Sequence, residues 1–400
     1  MTKPARSLSI INALVFDGES SDLREHAIHV AEGRIVGLGG KGSNKAELVD
    51  ARGSLVAPGL IDAHFHAYGV SLDLQELESL PLSYVVSRAT TRLRGALQRG
   101  FTTVRDVAGG DIGLQRALDE GVIPGPRYLF TGPALSQTGG HSDPRPAHAT
   151  GSSMSSHVGE IVDGVDPLRR VVRERFRTGA HAVKIMTSGG VISPNDSITG
   201  SQYSPAEIAV VTEEARRHGS YVAAHAYTSE AITVSVSNGV RTIEHGNLID
   251  ENAATLMAEG KAYLVPTLVA YDAMSRRGQE LGLAATSQEK NAEIFNAGLR
   301  SIEIARAAGV RIGFGTDLMG ELEDDQLLEF QIRSQIEPVI DLLRSATTTN
   351  ASIIGREDLG RIREGAVADL LLFEGNPFQT PSALWSPSRT VIKSGRLVSQ

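Results

Sequence analysis

The chain has no cysteine. That absence removes disulfides, a thiol nucleophile and any thiolate metal site, so a bound metal would have to be held by nitrogen and oxygen. No uninterrupted apolar run is long enough to cross a bilayer. The opening "MTKPARSLSIINALVFDGES" joins a basic start to a short apolar stretch, but it runs into Asp17 and Gly18 with no small-residue cleavage pattern and reads as a strand entering a turn. A cytoplasmic protein without a membrane partner is the expectation. No lysine or arginine cluster reverses the formal charge of −8, which argues against a phosphate-backbone partner and so against nucleic acid. Walker A and G-x-S-x-G are both missing. "GLGGKG", Gly37 to Gly42, fits G-x-G-x-x-G, yet no helix of adequate length follows before Asp50, so it reads as a plain glycine turn rather than a phosphate cradle.

What is present is a long alternation of short β-rich runs with helical pattern. The chain of 400 residues exceeds the usual single-domain size. Eight runs ("GLIDAHFH", "FTTVRDV", "PRYLFTG", "AVKIMTSGG", "YVAAHAY", "TIEHGN", "YLVPTL" and "RIGFGTD") predict an α/β protein built on a (β/α)8 barrel over residues 58–357. One connector states its own limits: in "SPAEIAVVTEEARRHG", Ser204 is the N-cap, Pro205 the first helical residue, Glu207 closes a capping box and Gly219 is the stop. Ile208, Val211 and Ala215 form its sheet-facing stripe. The connector Gln137 to Asp163 is long and rich in Gly, Ser, Pro and His, which suits a functional loop. Residues 1–57 and 358–400 read as hairpin strands with glycine turns, and the two ends are expected to build one small β-sandwich domain beside the barrel.

In such a barrel the reactive face lies at the C-terminal ends of the strands. Those ends carry His64 and His66, two residues apart and therefore on one face of a strand, then Lys184, His225, His245 and Asp317. Each alone has an ordinary explanation: His225 packing beside Tyr227, His245 capping a helix, Lys184 pairing a carboxylate. Six together on one rim are what single them out. His148, His157 and His181 read as loop or surface residues, and "GELEDDQ", Glu321 to Gln326, reads as a solvated helix start rather than a site for a cationic group.

The motifs "APGLIDAHFH", "VKIMTSGG", "AAHAY", "TIEHGN" and "GFGTD", with the closing "NASIIGREDLGRIREGAVADLLLF", resemble the binuclear branch of the metal-dependent amidohydrolase superfamily over almost the whole chain. "TGGHSD" and Tyr227 in "HAY" are similar to the group of imidazolonepropionase-related proteins, Xaa-Pro and Xaa-Lys/Arg dipeptidases and ochratoxin-hydrolysing amidases. The resemblance implies two divalent ions, most readily zinc. His64, His66 and Asp317 would hold the first, His225 and His245 the second, and Lys184, carboxylated by CO2, would bridge them as a carbamate. Ions of this kind supply a nucleophilic water at neutral pH. By the same resemblance Asp317 would move the proton, His141 would stabilise the oxyanion, and Tyr227 would contact a substrate carboxylate. The reading that follows is hydrolysis of an amide bond next to a free carboxylate in a small molecule, by a homo-oligomer. Two others stand beside it: a cyclic-amide hydrolase or deaminase on the same barrel, of which Lys184 and Tyr227 disfavour the mononuclear deaminases, and a non-catalytic scaffold, which should have lost ligands and has not.

Overall fold

The computed structural model describes residues 7–40, 42–145, 148, 157–193 and 196–399. The N-terminal strands are β1 (Leu8–Val15), β2 (Arg24–Ala31), β3 (Arg34–Leu38), β4 (Glu47–Asp50) and β5 (Leu55–Pro58). β1 and β2 form an antiparallel pair, and β1 then runs parallel to β4 with its first half and to β5 with its second. The glycine-rich stretch after β3 is a turn, with Gly39 N–H donating to Ala27 O at 2.7 Å.

The central strands are β6 (Leu60–Phe65), β7 (Phe101–Asp106), β8 (Arg127–Phe130), β9 (Ala134–Ser136), β10 (Gly159–Ile161), β11 (Val183–Met186), β12 (Val222–Thr228), β13 (Thr242–Leu248), β14 (Tyr263–Val265) and β15 (Arg311–Ile312). They fall into two parallel sheets, β6-β7-β8 and β10-β9-β11-β12-β13-β14-β15. Helices cross between successive strands from β6 to β8 and from β10 to β15, as parallel pairing favours. β8 and β9 are separated only by Thr131–Pro133. At the other junction, Ala63 N–H donates to Phe314 O at 2.9 Å and Asp317 N–H to His64 O at 2.8 Å, which ties the segment after β15 back to β6. The main apolar cluster lies between these strands and the helices around them.

The helix Pro205–Arg217 starts as its sequence dictates: Ser204 and Glu207 form the reciprocal capping box, with Pro205 at the first position. Ile208, Val211 and Ala215 are all buried. Near the C-terminus, β16 (Leu370–Phe373), β17 (Arg389–Lys393) and β18 (Arg396–Leu397) return to the N-terminal strands, with β16 antiparallel to β5. The two chain ends thus share one eight-stranded sheet branched at β1. Its two arms enclose a common apolar cluster that includes Ile10, Ile28, Val56, Leu370 and Ile392.

Candidate active site

β6 places His64 within the strand and His66 one residue past its end, and both meet Asp317. His66 Nε2 lies 2.7 Å and His64 Nε2 3.2 Å from Asp317 Oδ1. His64 Nδ1 donates to Glu244 Oε2 at 2.7 Å. His245 shares a hydrogen bond of 2.8 Å between Nδ1 and Thr267 Oγ1, and the same nitrogen is 3.8 Å from Asp317 Oδ2. One ligand atom from each of His64, His245 and Asp317 falls within 4.8 Å of the others. His225 stands one ring further along, 4.7 Å from His245 between centroids, and donates from Nε2 to Gly189 O at 2.9 Å. Lys184 lines the same cleft and is buried, yet its Nζ has no hydrogen-bond partner among the described residues.

A strand turns successive side chains to opposite faces, but Glu244 and His245 both reach His64, the first by hydrogen bond and the second at 4.9 Å between rings. The backbone explains this. His245 has φ 74° and Asp317 φ 54°, left-handed conformations that cost a non-glycine residue of order 1–3 kcal/mol. At His245 the turn in the backbone breaks the alternation and brings two consecutive side chains into one site.

The electrostatics of His225, His245 and Lys184 favour ligand states. Burial pushes the His225 and His245 imidazoles well below their ordinary values, so both rings are neutral. Burial also pulls the Lys184 ammonium down to about 8, against the pull of Glu244 and Asp317. Glu244 stays ionised despite its burial because the Arg105 guanidinium, 2.8 Å away, and His64 hold its carboxyl far down. His64 therefore keeps its Nδ1 proton on a carboxylate and turns Nε2 to Asp317, and His225 is fixed through a backbone carbonyl. Histidines that bind metals are oriented by hydrogen bonds of this kind through the other ring nitrogen. Together with an unpartnered buried lysine amine and an all-nitrogen-and-oxygen donor set, these contacts fit a metal centre.

The cleft above these residues encloses about 900 Å³, counting its open mouth. Leu72, Leu74, Val191, Ile192, Met274 and Met319 make much of its wall apolar. The connector after β9 contributes His141, Ser142, Pro144 and Val158, as its composition suggests; part of that connector lies outside the described residues. His141 is buried, its ring stacked on His225 at 4.2 Å. Tyr227 is also buried, and its hydroxyl is 3.0 Å from that of Tyr271, which lines the same cleft.

One sequence expectation needs correcting. Glu321–Gln326 is not a solvated helix start: it lies largely in a 3-10 turn, and Glu323 is buried between Arg92 and Arg99, at 3.1 and 2.6 Å. His181 is a loop residue as expected, in a bend and half-buried. It precedes β11, packs edge-on to Tyr221 at 5.7 Å, and burial with the nearby Arg105 charge pushes its imidazole down to about 4. His148 is exposed in a turn as expected, and His157 is half-buried and anchored through Nε2 to Leu80 O at 2.9 Å. Glu244, Arg105 and Tyr271 are the site residues that sequence reasoning missed. The first two carried a signal, since an ionisable residue inside a buried parallel strand requires a partner.

The sequence profile of the Amidohydrolase family matches residues 55–398. The chain belongs to that family. This amidohydrolase superposes on a prolidase crystallised with N-methylphosphonate-L-proline with a TM-score of 0.96 at 41% identity, over 98% of this chain and 100% of the other. A Xaa-Pro dipeptidase with methionine in its active site aligns with a TM-score of 0.88 at 29% identity, over 98% and 100% of the two chains. Ochratoxinase of Aspergillus niger is 29% identical over 99% of this amidohydrolase and 87% of its own length. Among the described residues, no helix is long and apolar enough to cross a membrane.

Proposed function

We propose that this hydrolase cleaves an amide bond adjoining a free carboxylate, as in a dipeptide, an N-acyl amino acid or an ochratoxin-type amide. The observation that carries the reading is the convergence, in one apolar-walled cleft, of six nitrogen and oxygen ligands with His141 and the Tyr227–Tyr271 hydroxyl pair. The 41% identity to a prolidase supports the substrate class. The parallel strands, tied end to end through Ala63 and Phe314, support a closed (β/α)8 barrel spanning 58–357, with 1–57 and 358–400 as the accessory β-domain.

His64, His66 and Asp317 would hold one divalent ion and His225 and His245 a second, with Lys184 as a carbamate between them. When bound, such ions acidify a water and polarise the scissile carbonyl. Asp317 accepts the proton of the attacking water and hands it to the nitrogen of the breaking C–N bond. His141 faces the carbonyl oxygen and meets the negative charge that grows there. Burial keeps both tyrosine hydroxyls protonated, so the pair can donate to a substrate carboxylate. The apolar wall suits an apolar acyl group.

Matched substrates test this. For N-acyl amino acids, dipeptides and ochratoxin A, the free acid is expected to outrun its C-terminal amide or ester, because the neutral form replaces charge-assisted hydrogen bonds with weaker neutral ones, at a cost of about 1 kcal/mol or more. Tyr227→Phe is expected to raise KM for the acid and narrow that gap. Equal rates on acid and amide, or a preference for neutral cyclic amides, would overturn the carboxylate handle and favour a cyclic-amide hydrolase.

A further inference from the structure

His141 is gripped from behind by the loop that follows β11. Its main-chain N–H donates to Gln202 Oε1 at 3.0 Å, and its Nδ1 lies 2.9 Å from Ser193 Oγ. Ser193 Oγ in turn contacts Asp196 Oδ1. Asp196 Oδ2 accepts from Gly190 N–H at 3.2 Å and from Gln202 Nε2 at 3.0 Å. The loop lies flat on the ring: a Cβ added at Gly190 would sit 2.0 Å from His141 Cε1, so glycine alone permits this approach. Lys290, on the helix Ala285–Ala307, binds the loop from outside. Its Nζ donates to the carbonyls of Gly190, Ser193 and Asp196 at 3.1, 3.0 and 2.7 Å.

These contacts decide which edge of the ring turns inward. Ser193 Oγ holds His141 Nδ1 on one side and meets Asp196 Oδ1 and, at 3.1 Å, Gly190 O on the other. Nε2 is then the nitrogen left to the cleft, and no described residue bonds to it.

We propose that Ser193, Asp196 and Lys290 are a positioning relay that fixes the His141 ring with Nδ1 turned into the protein and Nε2 presented to the reacting carbonyl oxygen. The inference rests on the oxyanion role given to His141 above and adds the residues that act through it. Lys290 sets the loop, Asp196 sets Ser193, and Ser193 sets the ring. The relay touches neither substrate nor ligand set, so its loss should show in kcat and not in affinity.

The test is a set of double-mutant cycles on the substrate that wild type turns over fastest in the matched series. Ser193→Ala, Asp196→Asn and Lys290→Met are each expected to lower kcat about 10-fold with KM nearly unchanged, and to lower it no further once His141 is already alanine. Losses that persist in the His141→Ala background overturn the relay, since the residues would then act independently of the ring. Histidine side-chain ¹H–¹⁵N spectra decide the geometry without any substrate. The signals missing in His141→Ala identify the ring; an Nδ1 shift that moves in both Ser193→Ala and Asp196→Asn is expected, and an Nδ1 shift that moves in neither overturns the proposal. If His141→Ala leaves kcat unchanged, the oxyanion assignment fails, while the spectra still report whether the relay holds the ring.

Discussion

Lys184→Ala is expected to abolish turnover and to lower the bound metal while leaving the fold at least as stable as wild type. The two halves of that outcome come from one fact. The Lys184 amine is buried with no hydrogen-bond partner among the described residues, so as a plain lysine it costs the fold more than it contributes, and its removal relieves that cost. A purely structural lysine would behave in the opposite way, with stability falling and metal binding untouched. As a carbamate the same side chain offers two oxygens to a pair of ions, and alanine offers none. Bicarbonate with a short carboxylic acid is expected to restore part of both the metal and the rate. Full activity in Lys184→Ala would remove the bridging role.

Asp317→Asn is expected to cost on the order of 10²-fold or more in kcat with a small change in KM, because the amide keeps the shape but cannot take up a proton. Asparagine suits the position sterically, since it tolerates the left-handed backbone that Asp317 adopts at φ 54°. A large drop in rate with little change in melting temperature therefore reports chemistry and not misfolding. Asp317 Oδ1 also sits between His66 and His64, at 2.7 and 3.2 Å, so a measured fall in bound metal alongside the rate would assign it ligation as well as proton transfer. A rate near that of wild type would place the proton acceptor on another side chain.

The candidate ligands were legible because a parallel strand delivers its last residues to one rim, and six polar residues at the ends of apolar runs stand out against that background. The capping box at Ser204 and Glu207 was legible for a similar reason, being local in sequence. What escaped notice depends on contacts between distant segments. The acidic run at Glu321–Gln326 looked solvated because the arginine that neutralises Glu323, Arg99, lies 224 residues earlier. Glu244 was hidden by the alternation rule itself: with His245 assigned to the site, its neighbour belonged on the far face, and only the left-handed turn at His245 puts both there. Tyr271 lies on the helix Leu268–Arg277, where nothing in an amphipathic pattern separates a phenol in a cleft from one in the core. The loop behind His141 had no signature, because Ser193, Asp196 and Lys290 act as a unit only after folding.

The cleft is proposed to hold two ions on six side chains and to use them to hydrolyse an amide. Enzyme freed of metal by chelation, then titrated with zinc in the presence of bicarbonate, tests it when bound zinc and kcat on a free-acid substrate are read from the same samples. Activity is expected to be absent at the start and to reach its maximum at two zinc ions per chain. Full activity in the metal-free protein, or a plateau at one ion, would rule out the two-ion centre.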